Sequence, residues 1–248
     1  MDAAVTRRAF VEQIMGLPVS VHVRGPQAGF DEAATAVADL FAELRMIDAV
    51  FSTYRPDSRI SALNRGEPVR DDLVDTVIDL CEQARERTDG YFDAHLPAPA
   101  GGTWFDPSGL VKGWAVERAA ARLAGYESYV SAGGDMVLRG SWRVGIEDPA
   151  RPDRMLTVLE VADCAVATSG PAHRGAHIID PHVGAPASGL RSVTVLGPSL
   201  TWADVYATAA VARGPAAMRW LAGLAGYEAL LVRDNGDLLA TPGWPTRG

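Results

Sequence analysis

The stretch Tyr129-Val-Ser-Ala-Gly-Gly-Asp-Met-Val-Leu138 decides the fold. It reads as two short strands on either side of a tight Gly133-Gly134-Asp135 turn. Downstream, residues 142–146, 155–161, 164–168 and 191–196 read as further short strands, punctuated by Gly, Pro and Asp. Upstream the period changes. Residues 30–51 place Val37, Leu40, Phe41, Leu44 and Ile47 on one helix face, and residues 71–88 do the same with Leu73, Val74, Val77, Leu80, Cys81 and Ala84. A third helix is expected over 110–124, closed by Gly125. Before these helices, Val19, Val21 and Val23 alternate with Ser20 and His22 as part of a first strand pair. After the central strands, helices are expected over 201–213 and 215–224. A final hairpin then joins 230–232 to 238–240 through a two-residue Asn235-Gly236 turn. Helices cluster early and strands dominate the middle, so an α+β fold suits better than a regular βαβ alternation. No repeat or low-complexity linker divides the chain, and one domain over 1–248 is expected.

Composition narrows the function classes. With 248 residues the chain can bury a core without staples. A net charge of -8 argues against a nucleic-acid surface, but not against a phosphate ligand, which needs only a few local donors. Cys81 and Cys164 lie far apart in apolar patterns, which favours buried small hydrophobes over thiol chemistry. No apolar run approaches the ~20 residues of a membrane helix. Thr6-Arg7-Arg8-Ala9-Phe10-Val11 resembles an export signal, yet the following stretch is charged and then alternates, so a cytoplasmic location is expected.

Four polar, glycine-rich segments interrupt the apolar elements. Asp106-Pro-Ser-Gly-Leu-Val-Lys112-Gly leads into the third helix, where glycine and a helix N-terminus suit phosphate. Lys112 is the only lysine among 23 lysines and arginines, and a compact ammonium is a different tool from a guanidinium fork. Ser131 to Asp135 is explained by a tight hairpin alone. The third segment combines Thr168-Ser-Gly170 with His177-Ile-Ile-Asp180-Pro, and a histidine before an apolar pair reads first as a packed, hydrogen-bonded one. In the fourth, Asp204 and Thr208 stand four apart on one helix face, where a carboxylate and a hydroxyl can converge on a hard cation such as magnesium. An exposed Asp and a threonine bonded to its own helix explain that pair equally well. On the residues alone, these segments indicate no more than a phosphate and metal site.

Taken in order, they closely resemble the ApbE family, the FAD:protein FMN transferases. Met15-Gly16 resembles the family's Met-Gly-Thr start, with Leu17 in place of the threonine. Phe51-Ser-Thr-Tyr54-Arg-Pro-Asp-Ser58-Arg-Ile-Ser-Ala-Leu-Asn64 and Tyr91-Phe92-Asp93 follow its wording. So do Asp106 to Gly113, Ala132 to Asp135, Thr168 to Gly170, His177 to Pro181 and Ala203-Asp204 to Ala207-Thr208. The stretch between Asp93 and Asp106 is shorter than the family's, which trims whatever covers the flavin there.

The resemblance implies a T-fold-like α+β architecture, with mixed or antiparallel sheets and packed helices, holding FAD between subdomains. It implies FAD contacts from Met15, Tyr54, Tyr91, Phe92, Asp93, Asp106, Lys112 and Ile178. It also implies Mg2+ held by Asp204, Thr208 and a main-chain carbonyl near Gly109. The implied reaction moves FMN from FAD to a Thr or Ser hydroxyl of an acceptor protein and releases AMP. Lys112 is expected to neutralise phosphate charge. His177 is the candidate general base, because imidazole titrates near neutrality, and Asp180 stands second. Two alternatives remain open from sequence: a magnesium-dependent FAD pyrophosphatase giving FMN and AMP, and a non-catalytic flavin-binding protein.

Overall fold

The computed structural model describes residues 6–97, 101–171 and 178–245. The chain opens with an antiparallel pair, β1 (Arg7–Ile14) and β2 (Leu17–Arg24). Its two-residue turn has φ of 55° at Met15 and 69° at Gly16, the left-handed pair that suits the twist of a hairpin. Three helices follow: α1 (Asp31–Phe51), α2 (Arg59–Asn64) and α3 (Asp72–Arg87). The short strands β3 (His95–Pro97) and β4 (Thr103–Phe105) precede α4 (Ser108–Ala120). The strand-rich middle comprises β5 (Glu127–Ala132), β6 (Asp135–Arg139), β7 (Ser141–Asp148), β8 (Arg151–Ala162) and β9 (Ala165–Ser169). Then come the two-residue strands β10 (Ile179–Asp180) and β11 (Ala185–Pro186), and β12 (Leu190–Gly197). The helices α5 (Leu200–Arg213) and α6 (Ala217–Leu221) lead to the terminal pair β13 (Glu228–Arg233) and β14 (Leu238–Ala240).

Eight strands form one sheet in the order β1-β2-β5-β6-β9-β12-β13-β14, and every pairing in it is antiparallel. One face carries Val19, Val21, Val130, Ala167, Val193 and Leu231 into the main core against α1, α3, α4 and α5. The β7–β8 hairpin lies over part of the other face, where Val144, Ile146 and Leu159 meet Leu138, Val166, Leu196 and Leu230. Strands β9, β12 and β13 are therefore buried on both faces, which is why their sequences run almost continuously apolar while β2 alternates. The α+β expectation holds.

Three local expectations change. Residues 59–64 form a short helix that the sequence reading passed over; Ser58 starts it by accepting from the Ser61 amide at 3.0 Å. The third helix begins at Ser108 rather than 110, and its last turn tightens into a 3₁₀ turn over 121–123. The terminal turn is not a two-residue one. Arg233 N donates to Asp237 O at 2.9 Å, leaving three residues between, and only Gly236 among them has positive φ. The Asn235 side chain accepts from Asp237 N at 3.0 Å, bonding locally rather than adopting the left-handed conformation.

Among the described residues, no helix is long and apolar enough to cross a membrane. Cys81 is buried on α3, and burial, then Glu82, Asp93 and Asp106, push its thiol up to about 12. Burial, then Asp163, pushes Cys164 to about 11. At pH 8 the thiolate fraction is on the order of one in a thousand or less at both sites. Iodoacetamide at pH 8 should accordingly leave both thiols of the folded protein largely unmodified over an hour and alkylate both in guanidinium, as read by intact mass. Rapid labelling of the folded chain would contradict these environments.

Candidate functional site

Helices α4 and α5 approach closely because Gly113 has no side chain. A Cβ at that position would stand 3.0 Å from the Leu200 carbonyl and 3.1 Å from Asp204 Cβ. Glu117, one turn further along α4, accepts from Ser199 Oγ and from the Thr201 amide, each at 2.9 Å. Ser199 is itself the N-cap of α5. The start of α5 is thus fixed by a side chain of α4, which sets the depth of every residue that follows.

That docking buries Asp204, at 2% exposure, beside Lys112. The Lys112 ammonium lies 3.4 Å from Asp204 Oδ1 and forms a closer ion pair with Asp135 Oδ2. Asp135 is fully buried at the start of β6, after Gly133 and Gly134 turn the chain at φ of 60° and 96°. Its Oδ1 accepts from the Thr168 amide at 2.9 Å, so one carboxylate ties β6 and β9 to α4. One turn beyond Asp204, Thr208 Oγ1 lies 2.9 Å from Ser169 Oγ at the end of β9. The structure therefore sets Lys112 against Asp204 and Asp135, and sets Thr208, one helical turn after Asp204, against Ser169.

The donor set fits a small hard cation. Among the described residues, two buried carboxylates face one ammonium, and the Thr208 hydroxyl, one helical turn after Asp204, pairs with that of Ser169. Among the described residues no group of three or more His, Cys, Asp or Glu could hold a metal ion. An ion here would rely on one or two carboxylates, hydroxyls, water and ligand phosphate, the manner in which magnesium is commonly held.

A second group lies around the start of α4. Phe92 is buried, and its ring would stand 3.2 Å from a Cβ at Gly109, in the first turn of that helix. Asp106 accepts from the Ser108 amide at 3.0 Å, satisfying a donor at the helix start. Asp93 accepts from the His95 amide at 2.8 Å and pairs with Arg85 at 3.4 Å. Asn64 bonds Phe105 in both directions at 2.9 Å, so the Leu63-Asn64 end of its motif holds β4 in place. Tyr91 meets His182 in a tilted ring contact with centroids 4.4 Å apart. Met15 and Ile178 are half-buried against the main core, and Tyr54 is 96% exposed in a turn. Asp180 accepts from the His182 amide at 2.9 Å. His177 lies outside the described residues.

The ApbE family model matches this chain over residues 15–104 and 94–231. The FAD:protein FMN transferase of Escherichia coli strain K12 is 28% identical over 157 residues, 56% of this chain and 45% of that protein. The FAD:protein FMN transferase of Rhodobacter capsulatus is 32% identical over 154 residues, 55% of this chain and 29% of that protein. The matched region thus spans less than half the length of these curated relatives. Among solved structures, a flavin transferase ApbE from Vibrio cholerae superposes with a TM-score of 0.83 at 24% identity, covering 96% of this chain and 98% of that one. The ApbE protein from Thermotoga maritima gives 0.82 at 21%, covering 96% and 97%. These two likenesses establish the mixed α+β fold.

Gly113→Ala tests the close approach. Its helix-propensity gain of about 1 kcal/mol is outweighed by overpacking of about 1–3 kcal/mol, because the added methyl meets backbone on a buried helix. The urea midpoint should fall for Gly113→Ala and stay level for Gly125→Ala, where a new Cβ meets nothing within 4 Å. Equal midpoints for the two variants would mean that Gly113 does not set the α4–α5 distance.

Proposed function

This chain belongs to the ApbE family, and on that premise we propose that it is a magnesium-dependent FAD:protein FMN transferase. FMN would pass from FAD to a Thr or Ser hydroxyl of an acceptor protein, with AMP leaving. The observation that carries the reading is the buried Lys112–Asp135–Asp204 cluster with Thr208 and Ser169 beside it. It is an oxygen-rich site with an ammonium between two carboxylates.

In this reading a new bond forms between the acceptor oxygen and the FMN phosphorus as the bond from that phosphorus to the AMP oxygen breaks. The acceptor proton passes to a base and AMP carries off the electron pair. Magnesium, when bound, would supply Lewis acidity for the charge that develops as AMP leaves. Asp204, Thr208 and the Gly109 carbonyl would hold it. Lys112 orients the Asp204 carboxylate and keeps a positive charge at the phosphate side. Asp135, anchored by the Thr168 amide, keeps Lys112 from swinging away. Phosphoryl transfer rests mainly on positioning and electrostatics, so a rigid, buried cluster of this kind suits it.

The flavin wall of this proposal comprises Met15, Tyr54, Tyr91, Phe92, Asp93, Asp106 and Ile178. His177, next in sequence to Ile178, is proposed as the base, with Asp180 as its nearest alternative.

Two measurements test this. Incubation with FAD, magnesium and an acceptor domain should add one FMN to the acceptor by intact mass, and Asp204→Ala should slow that gain by about 100-fold. Unchanged transfer in Asp204→Ala would remove the metal site from the reaction, and rapid AMP release without acceptor would assign hydrolysis instead. His177→Ala should cut the single-turnover rate by about 100-fold or more while FAD affinity, read by flavin fluorescence, stays within about twofold. Loss of FAD binding in that variant would make His177 a structural residue.

A further inference from the structure

His182 joins two segments that are distant in sequence. After α3, Asp89 and Gly90 turn the chain at φ of 54° and 78°. Gly90 N closes the helix end onto the Arg85 carbonyl at 2.8 Å, leaving the Asp89 carbonyl free of that bond. His182 Nε2 lies 3.0 Å from this carbonyl. A carbonyl can only accept, so Nε2 carries the proton and donates. The imidazole also meets the Tyr91 ring in a tilted contact, centroids 4.4 Å apart and planes inclined by 58°. Tyr91 is held in turn by the Arg213 guanidinium, 4.4 Å from its ring centroid. Arg213 Nη2 donates to the Thr88 carbonyl at 3.1 Å and to Asp89 at 2.7 Å, so the platform under His182 is rigid.

Among the described residues, the segment that His182 belongs to packs against the main core at its two ends, through Ile178 and Ala187. Strands β10 and β11 are two residues long, and a pair that short has no stability of its own. Residues 181–186 are all exposed. The internal bonds of the segment, Gly184 N to Asp180 O at 2.8 Å and Ala187 N to Ile178 O at 2.9 Å, fix its shape, and the exposed turn between the packed ends meets the body through His182.

We propose that His182 is a positioning residue. Between the packed ends of the segment, its tilted ring contact with Tyr91 and its bond to Asp89 O set the orientation of the β10–β11 turn, and through it place Ile178 and Asp180 opposite the Tyr91–Asp93 segment. Resting on the reading above, in which both segments face FAD, His182 sets the width of the flavin pocket between them. It acts through its neighbours and does not touch the reacting atoms.

Three proteins test this: wild type, His182→Ala, and His182→Phe, which keeps a ring for Tyr91 and loses the bond. Hydrogen exchange at the Gly184 and Ala187 amides reads the docking without any ligand. His182→Ala should speed exchange there about fivefold, with α5 unchanged and His182→Phe close to wild type, the size of one ring contact. In FMN transfer, His182→Ala should raise the FAD KM about fivefold with kcat within about twofold, and His182→Phe should restore KM.

Unchanged exchange in His182→Ala overturns the docking role. Faster exchange with unchanged KM overturns its link to the flavin pocket. A KM rise that His182→Phe fails to restore, accompanied by a matching loss of thermal stability in both variants, would make His182 an ordinary structural residue and also overturn it. If the wild-type protein transfers no FMN, the functional reading falls, and with it the link to the pocket, whereas the exchange experiment still decides the docking.

Discussion

The close approach of α4 and α5 at Gly113 is the constraint on which the candidate site depends. Once the two backbones touch, the residue before Gly113 and the residue facing it are forced together, and these are Lys112 and Asp204. Desolvation costs several kcal/mol for each buried ion unless opposite charges and hydrogen bonds offset it. The protein meets that cost with Lys112 between two carboxylates, one of which also accepts a backbone amide. Such an arrangement is sensitive to distance. If α5 moved out by the width of a methyl group, the ion pair would lengthen while both groups stayed buried. Glu117 opposes that movement by bonding the N-cap of α5 from α4. The same glycine that allows the contact therefore makes the Glu117 bonds necessary.

The sheet supplies the other half of the frame. Asp135 and Ser169 come from neighbouring strands, and their separation is set by the β6–β9 ladder, in which Met136 pairs with Val166 and Val137 with Ala165. Ser169 shares the inner face with Ala165 and Ala167 and so reaches Thr208 on α5. Thr168 points the other way, toward Thr194 at 2.9 Å, while its amide serves Asp135. Residues 165–167 of β9 and most of β12 are buried, so a register slip would exchange these roles and turn apolar side chains to the wrong face.

The fold was legible because its periodic segments are long. The apolar faces of α1 and α3 and the alternation of β2 carry their own evidence, and the boundaries fell within a few residues. Short elements did not announce themselves: α2 has six residues, and β10 and β11 have two each. The terminal turn misled because Asn235-Gly236 suits a two-residue hairpin, whereas the Asn side chain found a local partner instead.

At the site, the spacing of Asp204 and Thr208 placed them one helical turn apart, and no spacing could say what stood opposite. Asp135 was passed over because a glycine-rich turn explained it. Its parity with Val137 was the available signal, since both lie on the inward face of β6. Ser169 needed the strand register and the depth of α5, neither of which is local in sequence.

Helix α5 joins these parts into one unit. Apolar residues surround it on almost every side, so it is a buried helix rather than a surface one, and it cannot turn without opening the core. Asp204 and Thr208 lie one turn apart near its middle, and Arg213 ends it, braced against Tyr91, Trp220 and Asp89. The oxygen cluster and the Tyr91–His182 ring contact are therefore referenced to the same rigid rod. The proposed transfer, with phosphate at one end and an aromatic ring system at the other, would need that distance held constant. A buried α-helix rising 1.5 Å per residue holds it better than any pair of loops.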